Sequence, residues 1–291
     1  MTLRAALART FEIADHPLVL AALDPPAPVR RIRFAAADGE PVAGWLLEPQ
    51  GAGPAPAILY VHAHGGRYDI GAAEVLDGRD ALCGPLGPVL AAAGYRVLAI
   101  DMPCFGARAG VTESAAAKAA LWHGRSLAGR MLGELAAALD WLAADPGTDP
   151  GRIGVFGLSM GATLGYWLAA VRPDVAAVAH LCCFADFAPL VATGAHDRHG
   201  IYLVVPGLLD LATNGTIAGL VAPRPQFVGL GDADPLTPPA ATAPALAALA
   251  TAYAAAGAEA ALRLHREPEG GHAETPAMRA ALLAFLADAL G

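Results

Sequence analysis

The sequence predicts an α/β domain built on a mostly parallel, eight-stranded sheet with helices on both faces. Two observations carry that reading. Short apolar runs bounded by Gly, Pro and Asp recur along the chain, and between residues 57 and 231 they are apolar at odd and even positions alike, as strands covered on both faces must be. Longer segments with helical spacing separate the later runs, and such alternation marks parallel strands joined by crossovers.

Taken in order, residues 1–28 read as a helical N-terminal extension. VRRIRFAA (29–36) sets Arg30, Arg31 and Arg33 among Val29, Ile32 and Phe34, the pattern of an exposed edge strand, and VAGWLLEP (42–49) follows at hairpin distance. The next strands are AILYVHA (57–63), YRVLAIDMP (95–103), RIGVFG (152–157), VAAVAHLCC (175–183), PQFVGLG (225–231) and ALRLHREP (261–268). Helices are expected at 84–94, at 126–145 with Leu132, Leu135, Leu139 and Leu142 on one side, at 162–171 and at 275–290. Residues 29–291 thus read as a single domain. Its one awkward piece is 184–224, about forty residues between two strands, too long for a simple crossover and expected to pass over a site.

Composition narrows the function. With 55% hydrophobic and 16% charged residues the chain has the means to bury a core, and no run of about 18 apolar residues suggests a membrane span. A net charge of −8 and a pI near 5.5 argue against nucleic acid or anionic membranes as partners. The N-terminus carries acids and histidine where a secretory apolar region would stand, and no CxxC pair occurs among Cys83, Cys104, Cys182 and Cys183. A cytoplasmic location with free thiols is expected. No glycine-rich phosphate cradle or nicotinamide fingerprint appears, so no organic cofactor is expected.

The chemistry is concentrated at GRIGVFGLSMGA (151–162). Ser159 lies between an apolar strand and a helix, with Gly157 and Gly161 two residues to either side. A turn this sharp needs small neighbours, and the helix that follows aims free N–H groups at an oxyanion; this is the nucleophile elbow, G-x-S-x-G. A serine needs a base, and the base a carboxylate. In chain order after Ser159 come Asp232 and Asp234 beyond the strand 225–231, then His272 on the loop before the last helix.

These motifs resemble those of the α/β-hydrolase superfamily, and within it the dienelactone hydrolase and acetyl-xylan-esterase-like serine hydrolases. The resemblance spans about 30–291 and rests on YVHAHGG (60–66), AIDMPCFGAR (99–108), the elbow, APRPQFVGLGDADPLTPP (222–239) and GGHAETP (270–276). Gly231, Asp234 and Pro238 fit the G-x-x-D-x-x-x-P acid segment of relatives. The resemblance therefore implies Asp234 as the acid, with Asp232 closing the turn and Asp186 as a weaker substitute. It also implies backbone oxyanion donors at Met160 and His64, although Ala63 stands where many relatives have glycine. Dienelactone hydrolases use a cysteine nucleophile; Ser159 here favours ordinary esters.

Tyr68, Trp122, His123, His199 and Tyr202 are candidates for lining a substrate pocket, each equally readable as an ordinary loop or packing residue. Arg67, Asp69 and Asp197 share that ambiguity. His62 and His64, two apart at a strand end, also suggest a metal pair, but Gly66 and Arg67 occupy the positions where a metallo-β-lactamase-like motif needs Asp and His. The expectation is a serine hydrolase of small carboxylic esters working through an acyl-enzyme, without a metal. A metal-dependent hydrolase and a non-catalytic binding protein on the same fold are its rivals.

Overall fold

The computed structural model of the chain describes residues 1–51 and 53–291. Its strands are β1 (Leu18–Leu23), β2 (Val29–Ala36), β3 (Pro41–Leu47), β4 (Ala55–Val61), β5 (Arg96–Ile100), β6 (Thr148–Leu158), β7 (Ala177–Leu181), β8 (Gln226–Gly231) and β9 (Leu262–Glu267). Its helices are α1 (Leu3–Thr10), α2 (Glu74–Asp77), α3 (Gly87–Ala92), α4 (Glu113–Trp122), α5 (Leu127–Ala144) and α6 (Met160–Val171). After these come α7 (Phe187–Thr193), α8 (Leu208–Leu211), α9 (Asn214–Gly219), α10 (Pro239–Ala255) and α11 (Pro276–Leu290).

The described strands form one sheet in the order β1-β2-β3-β5-β4-β6-β7-β8-β9. Pairing is antiparallel from β1 through β3 to β5 and parallel from β5 to β9. The mostly parallel sheet with an antiparallel beginning is the expected one, but it has nine strands rather than eight. Residues 1–28 are not wholly helical: they hold α1 and also β1, which pairs with β2 from Leu18 opposite Ala36 to Leu23 opposite Ile32. The 29–36 strand is therefore not the sheet edge. LVLAAL escaped notice because it lacks an in–out period: Val19 is 67% and Leu20 41% exposed. Its place is fixed by backbone pairing rather than by burial.

Two longer helices, α4 and α10, also lie outside the expected ones. Alanine on every side of PAATAPALAALATAYAA leaves no apolar stripe to read, and Pro244 within it reads as a break.

Helices cover both faces. On one, α5 and α6 pack their apolar sides against the sheet, with α1 against α6 and α10 against α9; on the other lie α3 and α11. In α5 the stripe of Leu132, Leu135, Leu139 and Leu142 is at most 1% exposed, and each such leucine stabilises the fold by roughly 1.5–3 kcal/mol. Ser126 caps that helix by accepting from Gly129 N–H at 2.9 Å, worth about 1 kcal/mol. Because β4, β6, β7, β8 and β9 run parallel, the loops leaving their C-terminal ends meet along one edge, where open α/β sheets place their chemistry.

Candidate active site

β6 ends at Leu158 and α6 starts at Met160, so the chain reverses within one residue, Ser159. That residue takes φ 56° and ψ −115°, a strained conformation for a side chain with a β-carbon. It is held there by Ser159 N–H donating to Leu181 O at 2.9 Å. The glycines of the motif are a matter of close approach. A β-carbon on Gly157 would lie 2.1 Å from Gly161 O, and one on Gly161 would lie 1.9 Å from Val61 O. The elbow is thus pressed both onto itself and onto the end of β4.

Two further loops complete the arrangement. His272 Nε2 lies 2.8 Å from Ser159 Oγ, and His272 Nδ1 lies 2.7 Å from Asp234 Oδ2. Asp234 is an acceptor, so Nδ1 carries the ring proton and Nε2 presents a lone pair to the serine hydroxyl. Asp234 is 2% exposed. Burial works to raise its pKa, but the hydrogen bond and charge of His272, with Leu236 N–H and the Thr237 hydroxyl, outweigh it and hold the carboxyl below its ordinary value. The acid and base loops are tied to each other: Ala233 N–H donates to Gly270 O, and a β-carbon on Gly231 would lie 2.3 Å from the carbonyls of Gly270 and Gly271.

Met160 is the first residue of α6, so its N–H belongs to the amides that a helix leaves unpaired. On the facing loop, His64 N–H makes no hydrogen bond among the described residues. Both backbone groups of the preceding residue are firmly occupied. Ala63 N–H donates to Glu74 Oε2 at 3.0 Å, while Ala63 O accepts from Arg79 Nη2 at 3.0 Å; Glu74 and Arg79 are themselves an ion pair, and Tyr60 OH donates to Glu74. On the other side, Glu113 at the start of α4 is 5% exposed. Its Oε2 accepts from His64 Nε2–H at 2.8 Å and Tyr68 OH at 2.7 Å, and its Oε1 from Tyr202 N–H at 2.9 Å.

Of the pocket candidates, the structure gathers three beside this loop or the acid loop. Tyr68 stacks on Phe105 and meets His64 edge-on; Tyr202, 3% exposed, lies against His64 with ring centroids 5.8 Å apart. His199 donates from Nε2 to Leu236 O at 3.0 Å, two residues past Asp234. Trp122 and His123 are elsewhere. Trp122 is 88% exposed, because α4 buries only Glu113 and Ala117 and its last turn faces solvent. His123 lines a separate cavity of about 680 Å³ with Glu12, Arg108 and Arg130.

The other acids have different work. Asp232 Oδ1 accepts from Arg266 at 2.8 Å instead of closing a turn; the turn is closed by Asp234 itself, whose Oδ1 accepts from Leu236 N–H at 2.8 Å. Asp186 accepts from Gly215 N–H at 2.9 Å and anchors α9. The metal pair is not assembled. His62 donates from Nδ1 to Ala63 O and accepts at Nε2 from Met102 N–H, and burial pushes its pKa down to about 3. His64 accepts at Nδ1 from Gly66 N–H and donates from Nε2. Neither ring has a spare lone pair for a metal ion.

Sequence reasoning missed Glu74, Arg79 and Glu113. Each lies on a segment without a motif, and Glu113 reads as an ordinary acid in the first turn of a helix.

The family model described as X-Pro dipeptidyl-peptidase (S15 family) matches residues 38–222. The chain belongs to the S15 peptidase family. The matched stretch of this S15 member includes the elbow but stops short of Asp234 and His272. A protein of Bacillus subtilis (strain 168) named "Putative hydrolase YtaP" is 37% identical over 235 residues, which are 80% of this chain and 78% of that protein. Among solved structures, a glucuronoyl esterase from Solibacter usitatus superposes with a TM-score of 0.68 at 15% identity, covering 99% of this chain and 92% of that one. An acetyl xylan esterase from Paenibacillus sp. R4 gives 0.66 at 16% identity, covering 99% and 94%. The S15 member therefore has the α/β-hydrolase fold that its motifs resembled.

Proposed function

We propose that this protein is a serine hydrolase of small carboxylic esters, with Ser159 as nucleophile, His272 as general base and acid, and Asp234 as the group that orients and stabilises the imidazolium. The single observation carrying this reading is the unbroken hydrogen-bond chain from Ser159 Oγ through His272 to Asp234, at 2.8 and 2.7 Å. Asp234, kept ionised, fixes the ring tautomer that leaves Nε2 free to take the serine proton. As Oγ bonds to the ester carbon, the carbonyl π pair moves onto oxygen, where the N–H groups of Met160 and His64 receive it. Collapse of this intermediate expels the alkoxide, which takes the proton from His272 Nε2. Water, deprotonated by the same nitrogen, then attacks the acyl-enzyme, and as the acyl C–O bond breaks Ser159 Oγ takes that proton back and the acid is released.

The choice of esters rests on Ser159 in an acetyl-xylan-esterase-like motif set and on esterases among the structural neighbours. The family's name favours a second reading, removal of X-Pro dipeptides from peptides. The free state of all four thiols supports a reducing, cytoplasmic setting; no helix among the described residues is long and apolar enough to cross a membrane.

Turnover of 4-nitrophenyl acetate and of Gly-Pro-4-nitroanilide, by wild type and Ser159→Ala, tests the assignment. The ester should be the better substrate, and the variant should lose roughly 10³-fold or more of its turnover while remaining folded. Preference for the anilide would transfer the assignment to the peptidase reading, and an active Ser159→Ala would remove both.

A further inference from the structure

Glu113 is 49 residues from His64 and 89 from Tyr202 along the chain, yet its one carboxylate receives hydrogen bonds from both segments. One segment is the loop after β4, whose His64 N–H is the proposed second oxyanion donor. The other is the excursion over the site, residues 184–224. Burial works to raise the pKa of Glu113, but the hydrogen bonds from His64, Tyr68 and Tyr202 outweigh it and keep it ionised. Burial, with the hydrogen bond and charge of Glu113, pushes the Tyr68 phenol up to about 12, so that it remains a donor.

The ring of His64 leaves this carboxylate no substitute. Gly66 N–H donates to Nδ1 at 2.9 Å, so the single ring proton must sit on Nε2, pointing at Glu113. If the ring lost that acceptor it could not change tautomer without opposing Nδ1–H to Gly66 N–H. The His64 backbone is thereby coupled to the carboxylate through its own side chain.

We infer that Glu113 is a positioning residue of the ester-cleaving site: it joins the excursion to the oxyanion loop and aims the His64 N–H at the developing negative charge. This rests on the serine-hydrolase reading and extends it to a residue that touches no reacting atom. Its effect belongs to the transition state, because the amide it aims is needed only when the carbonyl oxygen gains charge.

Glu113→Gln tests it, since glutamine keeps the volume but has one acceptor oxygen. With that oxygen toward Tyr202 N–H, the amide NH2 opposes His64 Nε2–H and Tyr68 O–H. The variant should lower kcat for 4-nitrophenyl acetate roughly ten- to hundredfold with KM changed less than about threefold; complete loss of an oxyanion donor costs about 10²–10³. Affinity for a short alkyl trifluoromethyl ketone, which adds Ser159 Oγ to its carbonyl and leaves an oxyanion, should weaken in proportion to kcat/KM. Tyr68→Phe, which removes one donor and spares the carboxylate, should move kcat and ketone affinity the same way by about two- to fivefold, and it decides the matter should Glu113→Gln fail to fold.

Unchanged kcat and ketone affinity in a folded Glu113→Gln would overturn the inference, as would a lowered melting temperature with catalysis intact. A wild-type protein that neither cleaves the ester nor binds the ketone would remove the underlying reading and the inference with it. Normal wild-type behaviour with an unaffected Glu113→Gln would remove the inference alone.

Discussion

The nucleophile elbow and the loop after β4 meet at one site, yet they are built by different physics. At the elbow, sterics decide the geometry. Gly157 and Gly161 admit backbone at distances where no β-carbon fits, and the strained Ser159 is fixed by close backbone contacts with α6, β4 and β7. The loop after β4, proposed to receive the oxyanion, is held by buried charge. Glu74 and Arg79 grip the Ala63 peptide from one side, and Glu113 grips His64 from the other. A steric site fails by unfolding locally, because interiors do not yield to added volume. A charge-held site keeps its volume when an oxygen is exchanged for nitrogen, and loses alignment instead. Stability should therefore be sensitive at the first and transition-state affinity at the second.

The largest expected effect lies on the carboxylate that holds His272. Asp234→Asn should reduce kcat about 10³–10⁴-fold, since an asparagine NH2 favours the tautomer with its proton on Nε2, facing the serine. Circular dichroism should show the native fold, and steady-state kinetics on 4-nitrophenyl acetate measures the loss. A decrease of less than tenfold would mean that another acid holds His272.

Gly161→Ala sharpens the steric half. With Val61 O 1.9 Å from the new β-carbon, the backbone must move, at a cost of about 1–3 kcal/mol or more. Thermal melting should fall by at least several degrees, with activity falling alongside. An unperturbed melting temperature would show that β4 and the elbow are not in contact.

The smallest effect is the pH response of the two buried carboxylates, Asp234 and Glu113. Asp234 and Glu113 both have folded-state pKa values below their ordinary ones, so the folded protein binds fewer protons there than the unfolded chain does. Their contribution is present above the unfolded values of about 4 and is lost as pH falls through the lower folded values. Urea midpoints should decline below about pH 4, and the decline should be shallower in Glu113→Gln. The same slope in both proteins would mean that Glu113 is not ionised in the fold.

The same division explains what could be read from the sequence. Sterically determined features leave local signatures: GLSMG marks the elbow, and apolar runs of the right length mark the central strands. Asp234 was recoverable because its spacing to Gly231 and Pro238 is short. Glu113, Glu74 and Arg79 act across long sequence separations, and a buried carboxylate has the same letter as a solvated one. The exposed strand β1 and the alanine-rich α10 escaped for a related reason, since neither shows a burial period. Trp122, readable either as a pocket or as an ordinary residue, is exposed because α4 is pinned through Glu113 and Ala117, which turn its aromatic end outward.

The account stands on an activated hydroxyl at Ser159. Labelling the intact protein with a fluorophosphonate and mapping the adduct by peptide mass spectrometry tests this most directly. One phosphonylated site, on Ser159, is expected, with labelling abolished in Ser159→Ala and strongly slowed in His272→Ala. An unlabelled protein, or an adduct carried on a different residue, would contradict it.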